Sequence, residues 1–488
     1  MSRDAARGLV GVVSRDAARG LVRETGGDEL LERLDHLDRV RAAARPSEEG
    51  TPDTPDAGTE TDFDVVIAGG GLFSVLAPTL AARGLRVAVL ERGRAGVAHR
   101  EWNASGPELR PLVESGLVAE DELERLVIAR YRTGTCSFHG GGSYPVDGVL
   151  DHAVDAGALL SLARARSEQR GVTFLDGHAL VSQRSGPDAI ALRVRTRDGD
   201  REIVARLLVD ARGASSPYAT ADLVCPTVGG VMTGLASGSG PGEMDPEVGE
   251  ILATVDPIHE GRQHVWEAFP GRPGETTVYV FYYARAEEPT SLVKLYARFF
   301  ETLPTYKRGD ARLVRPTFGL IPGWSRLTPA PAPPPGRVVL VGDAAARHSP
   351  LTYCGFGATV RSIVPATDLI ARAAFEPGLV PPHAMQDAPV HALTGALAHM
   401  LASRAFHGDE MNGLLDASFA TLHAMGQGPY AELLRDELAP EALVTFLERT
   451  ARRHPAVWGQ VVRGLGLTRA GRWGWSVARS MVGGRAAA

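Results

Sequence analysis

The stretch DVVIAGGGLFS, residues 64–74, decides the fold, because an apolar run passes directly into three glycines. Its first five residues predict a buried β-strand, and the pattern from Val75 onward predicts a helix. In such a strand–turn–helix unit, Gly69 permits the tight turn and Gly71 lets the backbone approach a pyrophosphate. The helix N-terminus then offers N–H groups and its dipole to the phosphates. The stretch therefore predicts a dinucleotide site on a Rossmann-type α/β fold.

The residues after the turn complete this unit. Residues 85–90 predict a second strand, and Glu91 ends it at the spacing where an acid binds ribose hydroxyls. Ser74 stands in place of the third fingerprint glycine, a small residue that loosens the match slightly. Because FAD and NAD share this fingerprint, the unit by itself does not choose between them.

Two later strand ends favour FAD. Residues 338–345 read VVLVGDAA, a strand that ends in Gly342 and Asp343 and sets this aspartate against the ribityl chain of a flavin. Residues 207–213 form another strand end of this kind. A pair of NAD-binding folds would need a second GxGxxG fingerprint, which the sequence lacks. Together the segments indicate the two-domain fold of FAD-dependent aromatic hydroxylases.

A glycine-broken loop follows the Gly-Asp segment. It begins at Pro350 and contains Gly355 and Gly357 just before a helical pattern. The N-terminus of that helix would face the pyrimidine edge of a flavin and favour an anionic reduced ring. The sequence thus predicts non-covalently bound FAD.

At 488 residues the chain exceeds what one hydrophobic core usually supports, so we expect several lobes. The patterning predicts residues 1–62 as an N-terminal helix and disordered linker, 63–221 as the first part of the FAD-binding domain, 222–330 as an inserted β-rich substrate-covering domain, 331–375 as the second part of the FAD-binding domain, and 376–488 as a helical C-terminal region. Near the start, the segment SRDAARGLV occurs twice, at residues 2–10 and 14–22. A solvated linker is predicted for residues 46–62 from their Pro, Thr and acidic content.

Charge and composition exclude some classes of function. The net charge of −6 gives no basic field, which argues against nucleic acid as the main partner. Three scattered cysteines fit a reducing compartment. The sequence shows neither an apolar run of about 18 residues nor a signal-peptide core, so we expect a cytoplasmic protein, at most attached to a membrane face. The oligomeric state stays open.

Two patterns in the C-terminal region raise the question of metal binding and of membrane contact. His383, His391, His399 and His407 recur every eight residues, but eight residues turn a helix by about 800°, so they drift around its axis and we predict no metal site. Residues 458–485 combine three tryptophans with arginines. That composition predicts an interfacial helix in peripheral contact with a membrane. A helix packed on the FAD lobe is the alternative.

Several segments resemble the CruA/CruP-type lycopene cyclases and their paralogues over residues 63–370. They are REWNAS at 100–105 with Glu108 and Leu109, FHGG at 138–141, WEAFP at 266–270, Gly342-Asp343, and SPL at 349–351 leading to GFGA at 355–358. The most specific are Glu-Trp-Asn and Trp-Glu-Ala-Phe-Pro. Three features depart from the family pattern: Ser74, the inserted Gly106-Pro107, and Cys354 in place of a second glycine.

The resemblance implies a cyclisation with no net redox change at the end of a linear carotene, a hydrophobic isoprenoid taken from the membrane. Reduced FAD would assist acid–base chemistry, with NAD(P)H or another donor as reductant. A proton must reach a terminal double bond, the carbocation must be shielded from water, and a proton must then leave. A carboxyl group kept protonated by an apolar pocket meets the first demand.

The candidate residues follow from these segments. Glu267 is the preferred acid, with Trp266 and Phe269 expected to raise its pKa and to hold a cation over their faces. Glu101 is the rival carboxylate. An outward-pointing Glu267 is the alternative interpretation.

The segment around Glu101 is expected to reach both the cofactor and the substrate. We expect Arg100 to contact the cofactor, and Trp102 and Asn103 to contact the substrate. A structural loop in which Asn103 bonds local backbone is the other interpretation.

Other enzymes of the same fold remain alternatives. They are an FAD-dependent monooxygenase, a reductase of isoprenoid double bonds, and a paralogue that binds FAD without cyclising a carotene. An enclosed Glu267 facing the flavin favours cyclisation, an open NAD(P)H-facing groove favours monooxygenation, and a blocked pocket favours the paralogue.

Overall fold

The computed structural model describes residues 15–42, 52–98, 100–219, 221–329, 332, 334, 336–352, 355–376, 380–385 and 387–483. The first copy of the repeated segment and Cys354 lie outside these ranges. None of the helices within them is long and apolar enough to cross a membrane.

The described residues form eighteen strands and thirteen α-helices, and the last six helices follow one another at the C-terminal end of the described chain. The strands are β1 (Phe63–Ala68), β2 (Val87–Glu91), β3 (Glu101–Ala104), β4 (Val127–Arg130), β5 (Thr133–Ser137), β6 (Ser143–Asp147), β7 (His152–Asp155), β8 (Thr173–Asp176), β9 (Ala179–Ser185), β10 (Ile190–Thr196), β11 (Gly199–Asp210), β12 (Leu223–Leu235), β13 (Val248–Ala253), β14 (Val265–Pro270), β15 (Thr276–Phe281), β16 (Ala284–Arg285), β17 (Gly309–Gly323) and β18 (Val338–Leu340). The helices are α1 (Arg15–Ala42), α2 (Leu76–Ala81), α3 (Arg110–Glu114), α4 (Glu120–Leu126), α5 (Ala156–Gln169), α6 (Leu292–Tyr306), α7 (Gly355–Phe375), α8 (His391–Ala402), α9 (Glu410–Met425), α10 (Gln427–Leu434), α11 (Pro440–Arg453), α12 (Val457–Leu465) and α13 (Leu467–Gly483).

The first lobe is built on a seven-stranded sheet in the order β8-β2-β1-β11-β10-β9, with β18 beside β11. Strands β8, β2, β1, β11 and β18 are parallel, and α2, α5 and α7 bury one face of this sheet. Ala68 pairs with Asp210, and Asp210 pairs with Leu340, so three strands end side by side. This arrangement confirms the Rossmann-type α/β fold and the three predicted strand ends.

The second lobe is built on an eight-stranded sheet in the order β16-β12-β15-β14-β13-β5-β6, with β17 beside β12. Helices α6 and α1 pack on its outer face. Strands β5 and β6 belong to this sheet although they precede residue 222 in the chain. The β-rich unit therefore recruits residues 133–147, which the predicted boundary at 222 leaves out.

The N-terminal part is more closely attached than the sequence predicted. Helix α1 begins at Arg15, bends at Gly27, and buries Leu30, Leu31 and Leu34 in the cluster formed with α6. Residues 52–62 contain no helix or long strand, but Asp62 N–H donates to Val204 O at 2.8 Å. This part of the predicted linker is therefore bonded to β11.

The C-terminal region is helical, as predicted. Helices α8 to α13 form one apolar cluster with residues of β5, β6 and β12. A small third sheet has the strand order β3-β7-β4. Strand β3 carries the Glu-Trp-Asn segment.

Candidate functional site

A cavity of about 460 Å³ is lined by both lobes. From the first lobe it receives the strand ends that carry Gly71, Gly213 and Asp343. From the second lobe it receives Glu267 and a set of mostly aromatic and small side chains: Cys225, Thr227, Phe269, Tyr279, Phe281, Thr317, Phe318, Gly319 and Ile321. The cavity therefore joins the predicted cofactor segments to the predicted substrate segments.

The glycine turn has the geometry that dinucleotide binding needs. Gly69 has φ 119°, and a Cβ atom there would lie 2.5 Å from Ala211 O, so only glycine fits. At Gly71, no atom lies within 4 Å of a Cβ position, and the residue lines the cavity. A short 3₁₀ helix, Leu72–Val75, leads into α2 directly after it. The turn thus exposes open backbone to the cavity at a helix start, which fits a pyrophosphate.

Glu91 and Ser74 support this turn from behind. The Glu91 carboxylate accepts N–H groups from Gly70 at 2.9 Å and Gly93 at 2.8 Å. Ser74 is buried in the short helix. Neither residue lines the cavity, so ribose binding by Glu91 stays a prediction while its bracing of the turn is visible.

The Gly-Asp segment lies beside this turn. Gly342 has φ 57°, and a Cβ atom there would meet the Phe73 ring at 2.6 Å. The Asp343 side chain is exposed, lines the cavity, and makes no hydrogen bond to another described residue. Its carboxylate is available to accept hydroxyl groups of a ribityl chain. The cavity also includes Arg212, whose guanidinium is held by Asp210 at 2.8 and 3.0 Å.

The loop after the Gly-Asp segment is clamped by strained residues. Ala346, Arg326 and Asp436 all have left-handed backbone, with φ of 48°, 60° and 63°. Arg326 Nη2 donates to Ala346 O at 3.2 Å, and Ser349 N donates to the Asp436 carboxylate at 3.2 Å. Non-glycine residues in this conformation persist where the surroundings enforce it, often at functional sites.

This clamp brings one further side chain into the cavity. His348, on the clamped loop, lines it, and burial lowers the pKa of its imidazole. Pro350 is buried behind the loop and does not line the cavity. Sequence reasoning missed His348 and Asp436, because no local pattern joins residues so far apart in the chain.

The two glycines predicted to bind the cofactor after Pro350 both lie in the first turn of α7, but in different surroundings. Gly355 lines the cavity. Gly357 does not, because a Cβ atom there would lie 2.4 Å from Glu108 Oε1. Glu108 accepts the Ser105 N–H at 3.0 Å and pairs with Arg361. The predicted cofactor contact of Gly357 is therefore corrected to a packing role, since glycine leaves room for this carboxylate.

Strand β14 sends its two predicted aromatic residues to opposite faces. Phe269 lines the cavity with Glu267. Trp266 is fully buried on the other face, where its ring stacks on Phe299 at 5.6 Å between centroids. Successive side chains of a strand alternate between faces. The prediction that Trp266 binds substrate and flanks the acid is therefore wrong.

Glu267 is enclosed by protein, and its accessible surface faces the cavity. Asn103 Nδ2 donates to its Oε1 at 2.5 Å. Desolvation raises the pKa of Glu267 to about 7, although the Asn103 hydrogen bond favours the charged form. No cation pairs with this carboxylate among the described residues. A pKa near neutrality is the property that a general acid or base needs at physiological pH.

Glu101 lines the same cavity in a different environment. Its Oε1 accepts from Arg315 Nη2 at 2.5 Å and lies 3.5 Å from Arg272 Nη1. Burial raises the pKa of Glu101, but both guanidinium groups oppose this rise. The two candidate carboxylates thus differ in one respect: Glu101 has cationic partners and Glu267 has an amide.

The rest of the Glu-Trp-Asn segment also reaches the cavity. Arg100, Trp102 and Asn103 all line it. The Trp102 ring stacks on Phe356 at 4.8 Å, at the start of α7. The Asn103 side chain bonds Glu267 across the lobes, so the interpretation as a local backbone contact does not hold.

Sequence reasoning also missed Tyr279, which pairs directly with Glu267 across β14 and β15. Directly opposed residues share a face of the sheet. The alternation of aromatic residues in 276–283 could therefore have indicated which of them share the face of Glu267, but only if the pairing of the two strands had been known.

The fold has known counterparts. The structure superposes on the halogenase PltM in complex with phloroglucinol and FAD (TM-score 0.56, 11% identity, 86% of this chain and 97% of that one). It is also similar to a flavoprotein/dehydrogenase from Cytophaga hutchinsonii (TM-score 0.52, 15% identity, 84% and 99%). A third similar structure is aklavinone-11 hydroxylase with FAD and aklavinone (TM-score 0.50, 19% identity, 84% and 73%).

No protein-family model matches the sequence, and no curated protein matches it either. At these identities the superpositions describe architecture. The chain therefore has the two-lobed fold of flavoprotein halogenases and hydroxylases.

Proposed function

We propose that this protein is an FAD-dependent enzyme of lycopene cyclase type, which cyclises the end of a linear carotene without net redox change. The observation that carries the proposal is Glu267, a carboxyl group with a pKa of about 7 in a cavity that also reaches the glycine turn and Asp343. A protonatable acid, an aromatic lining and a cofactor cleft in one cavity match the demands of alkene protonation.

The residues of the first lobe fit FAD. Gly71 would face the pyrophosphate, Asp343 the ribityl hydroxyls, and the backbone at Gly355 the ring, since all three line one cavity. Bound in its reduced form, FAD would supply negative charge beside the reacting end of the substrate. NAD(P)H is the proposed reductant.

Glu267 would act as the proton donor. Asn103 donates to Oε1, so the acidic proton is held on Oε2. Glu101 is the weaker candidate for this step, because Arg315 and Arg272 favour its charged form. The Asn103 amide fixes the orientation of the acid.

The cavity wall would protect the cation formed by protonation. The side chains of Phe269, Phe281 and Ile321 line it and would limit the approach of water once substrate is bound, and the face of an aromatic ring attracts a positive charge. The second-lobe wall thus meets the demand for shielding that a carbocation makes.

A monooxygenase is the second candidate, favoured by the similarity of the fold to a hydroxylase and a halogenase. It would use the same cofactor cleft but require oxygen. Its product would differ from a cyclic isomer by mass, which allows one experiment to separate the two.

The test incubates FAD-loaded protein, reduced by NAD(P)H or dithionite, with lycopene in detergent, once under anaerobic conditions and once in air. Products are then separated by chromatography and weighed by mass spectrometry. We expect cyclic carotenes of unchanged mass. A hydroxylated product that needs oxygen would support the monooxygenase, a product with two added hydrogens would support the reductase, and unchanged lycopene in every condition would contradict all three.

A further inference from the structure

The last two helices present apolar side chains to solvent. Trp458 and Val462 lie on α12, and Leu467 and Trp475 lie on α13, with Leu467 79% and Trp475 72% exposed. Elsewhere in the described chain, large exposed apolar side chains occur singly, at Val97, Val314 and Phe375. We call Trp458, Val462, Leu467 and Trp475 the C-terminal apolar face. Several large apolar side chains exposed on two consecutive helices are typical of an interaction site.

These side chains are not left over from an unfilled core. The same helices bury Val461, Leu465, Trp473 and Val477 in the cluster shared with α8 and α11. Helices α12 and α13 therefore have one apolar side inside the protein and a second one outside. Packing of the core explains why the inner side is apolar, but it does not explain the apolar residues on the outer side.

The surroundings of this face are strongly basic. The 40 residues from Arg449 to Ala488 contain eight arginines and no aspartate or glutamate, in a chain whose net charge is −6. Five of these arginines are exposed within the described residues: Arg449, Arg452, Arg453, Arg463 and Arg472. Arg452 and Arg463 pair with Glu448 and Glu410. The sign of the charge selects an anionic partner.

A small cavity of about 60 Å³ with a largely apolar lining lies among the C-terminal helices. Trp458 of the apolar face lines it together with Trp473, and their ring centroids are 6.3 Å apart. Leu351 also lines it, next in sequence to Thr352, which lines the main cavity. The apolar face thus adjoins an apolar interior that reaches the loop following Asp343.

We propose that the C-terminal apolar face docks on the surface of an anionic phospholipid bilayer. Trp458, Leu467 and Trp475 would enter the boundary between headgroups and acyl chains, and the arginines would bind lipid phosphates. Tryptophan with arginine is the combination that this boundary favours, and anionic lipid matches the local charge. The inference does not depend on the carotene proposal, because it uses no residue of the main cavity.

The test is co-sedimentation of the full chain with vesicles. One set is phosphatidylcholine alone, and the other contains phosphatidylglycerol as well. We expect binding to the anionic set, and we expect it to weaken as sodium chloride is raised, because salt screens the arginine contacts.

The informative variant is Leu467→Ser with Trp475→Ser, two exposed positions whose change leaves the core intact. We expect its partition onto anionic vesicles to fall about tenfold or more, because two interfacial anchors are lost. Phe375→Ser is the matched control, since Phe375 is also exposed, at 57%, but lies at the end of α7. Equal thermal unfolding temperatures would show that all three proteins are folded.

Three results would overturn the inference. They are absence of binding by the natural chain to anionic vesicles, equal binding by the double variant, and a concentration-dependent dimer that the double variant abolishes while vesicles stay unbound. The last result would assign the face to a second copy of the chain.

Discussion

Glu267 and Glu101 show how neighbouring carboxyl groups acquire different chemistry from their partners. The amide of Asn103 leaves Glu267 able to take up a proton near pH 7, whereas Arg315 and Arg272 hold charge beside Glu101. Burial raises the pKa of both groups, so the acid role is assigned to Glu267 from the difference in partners, an amide for Glu267 and two guanidinium groups for Glu101. The assignment leads to two predictions at this scale.

Glu267→Gln should abolish most proton transfer while preserving shape and the Asn103 contact. We expect kcat for cyclisation to fall roughly 10²- to 10⁴-fold, the range for loss of a general acid, with FAD binding unchanged. Anaerobic turnover of lycopene and the flavin absorbance spectrum measure the two quantities. Glu101→Gln is the matched control in the same cavity, with a smaller loss expected. The opposite order of effects would transfer the acid role to Glu101.

Glu267 should also make stability depend on pH. Its folded-state pKa of about 7 exceeds the ordinary value of 4.5, so the folded state binds the proton more tightly. This contribution is fully present below about pH 4.5 and is lost as pH rises through about 7, up to about 3 kcal/mol in the free energy of unfolding. Urea unfolding at pH 5.5 and pH 8 tests it. The free energy of unfolding should fall more steeply between these two pH values in the natural chain than in Glu267→Gln. An identical fall in both proteins would refute the effect.

At the scale of single residues, the sequence singled out Glu267, Asn103 and Phe269, but it predicted neither the hydrogen bond from Asn103 to Glu267 nor the face of every neighbour. Glu267, Asn103 and Phe269 all line the cavity, and their catalytic and substrate-binding roles stay predictions. The prediction that Trp266 contacts the substrate was wrong, because alternation in a strand tells which residues share a face of the sheet but not which face lines the cavity. Arg315 and His348 escaped detection because their contacts span more than 200 residues or depend on a strained loop.

In the turn between β1 and α2, Gly69 is required by the packing of the protein itself, whereas Gly71 is expected to be required for cofactor binding. Gly69→Ala places a Cβ atom 2.5 Å from Ala211 O at a positive φ, whereas Gly71→Ala meets no atom within 4 Å. We expect the first change to lower the free energy of unfolding by at least about 1–3 kcal/mol. The second should leave apoprotein stability unchanged and weaken FAD binding. Urea unfolding and FAD titration measure these outcomes, and a stable, FAD-binding Gly69→Ala protein would contradict the assignment.

Among the elements, strands with strong apolar runs were predictable and weak ones were not. β1, β2, β18 and the last four residues of β11 are largely buried, and a glycine or an acidic residue lies at the end of each strand or within two residues after it, a pattern that local sequence displays. β5 and β6 read TGTCS and SYPVD, with little apolar content. Their strand conformation depends on pairing with β13 and with each other, which only the folded chain supplies.

At the scale of the whole molecule, the described N-terminal helix α1 packs on the second lobe. Leu34 is fully buried against α6, whereas Leu37 is only partly buried in the same cluster. We expect Leu34→Ala to cost about 2–5 kcal/mol if the molecule unfolds as one unit, and Leu37→Ala to cost less. Thermal and urea unfolding check the order. Equal, negligible effects would show that α1 contributes nothing to stability.

The recruitment of β5 and β6 into the second sheet limits how this molecule can be taken apart. The chain enters that sheet at β5, returns to the small sheet at β7, and enters again at β12. A fragment of residues 222–330 would expose the edge of β13, and unpaired edges promote aggregation. The second lobe therefore cannot be exchanged as one continuous segment, because grafting its sheet onto another protein requires transferring two separate pieces of chain together.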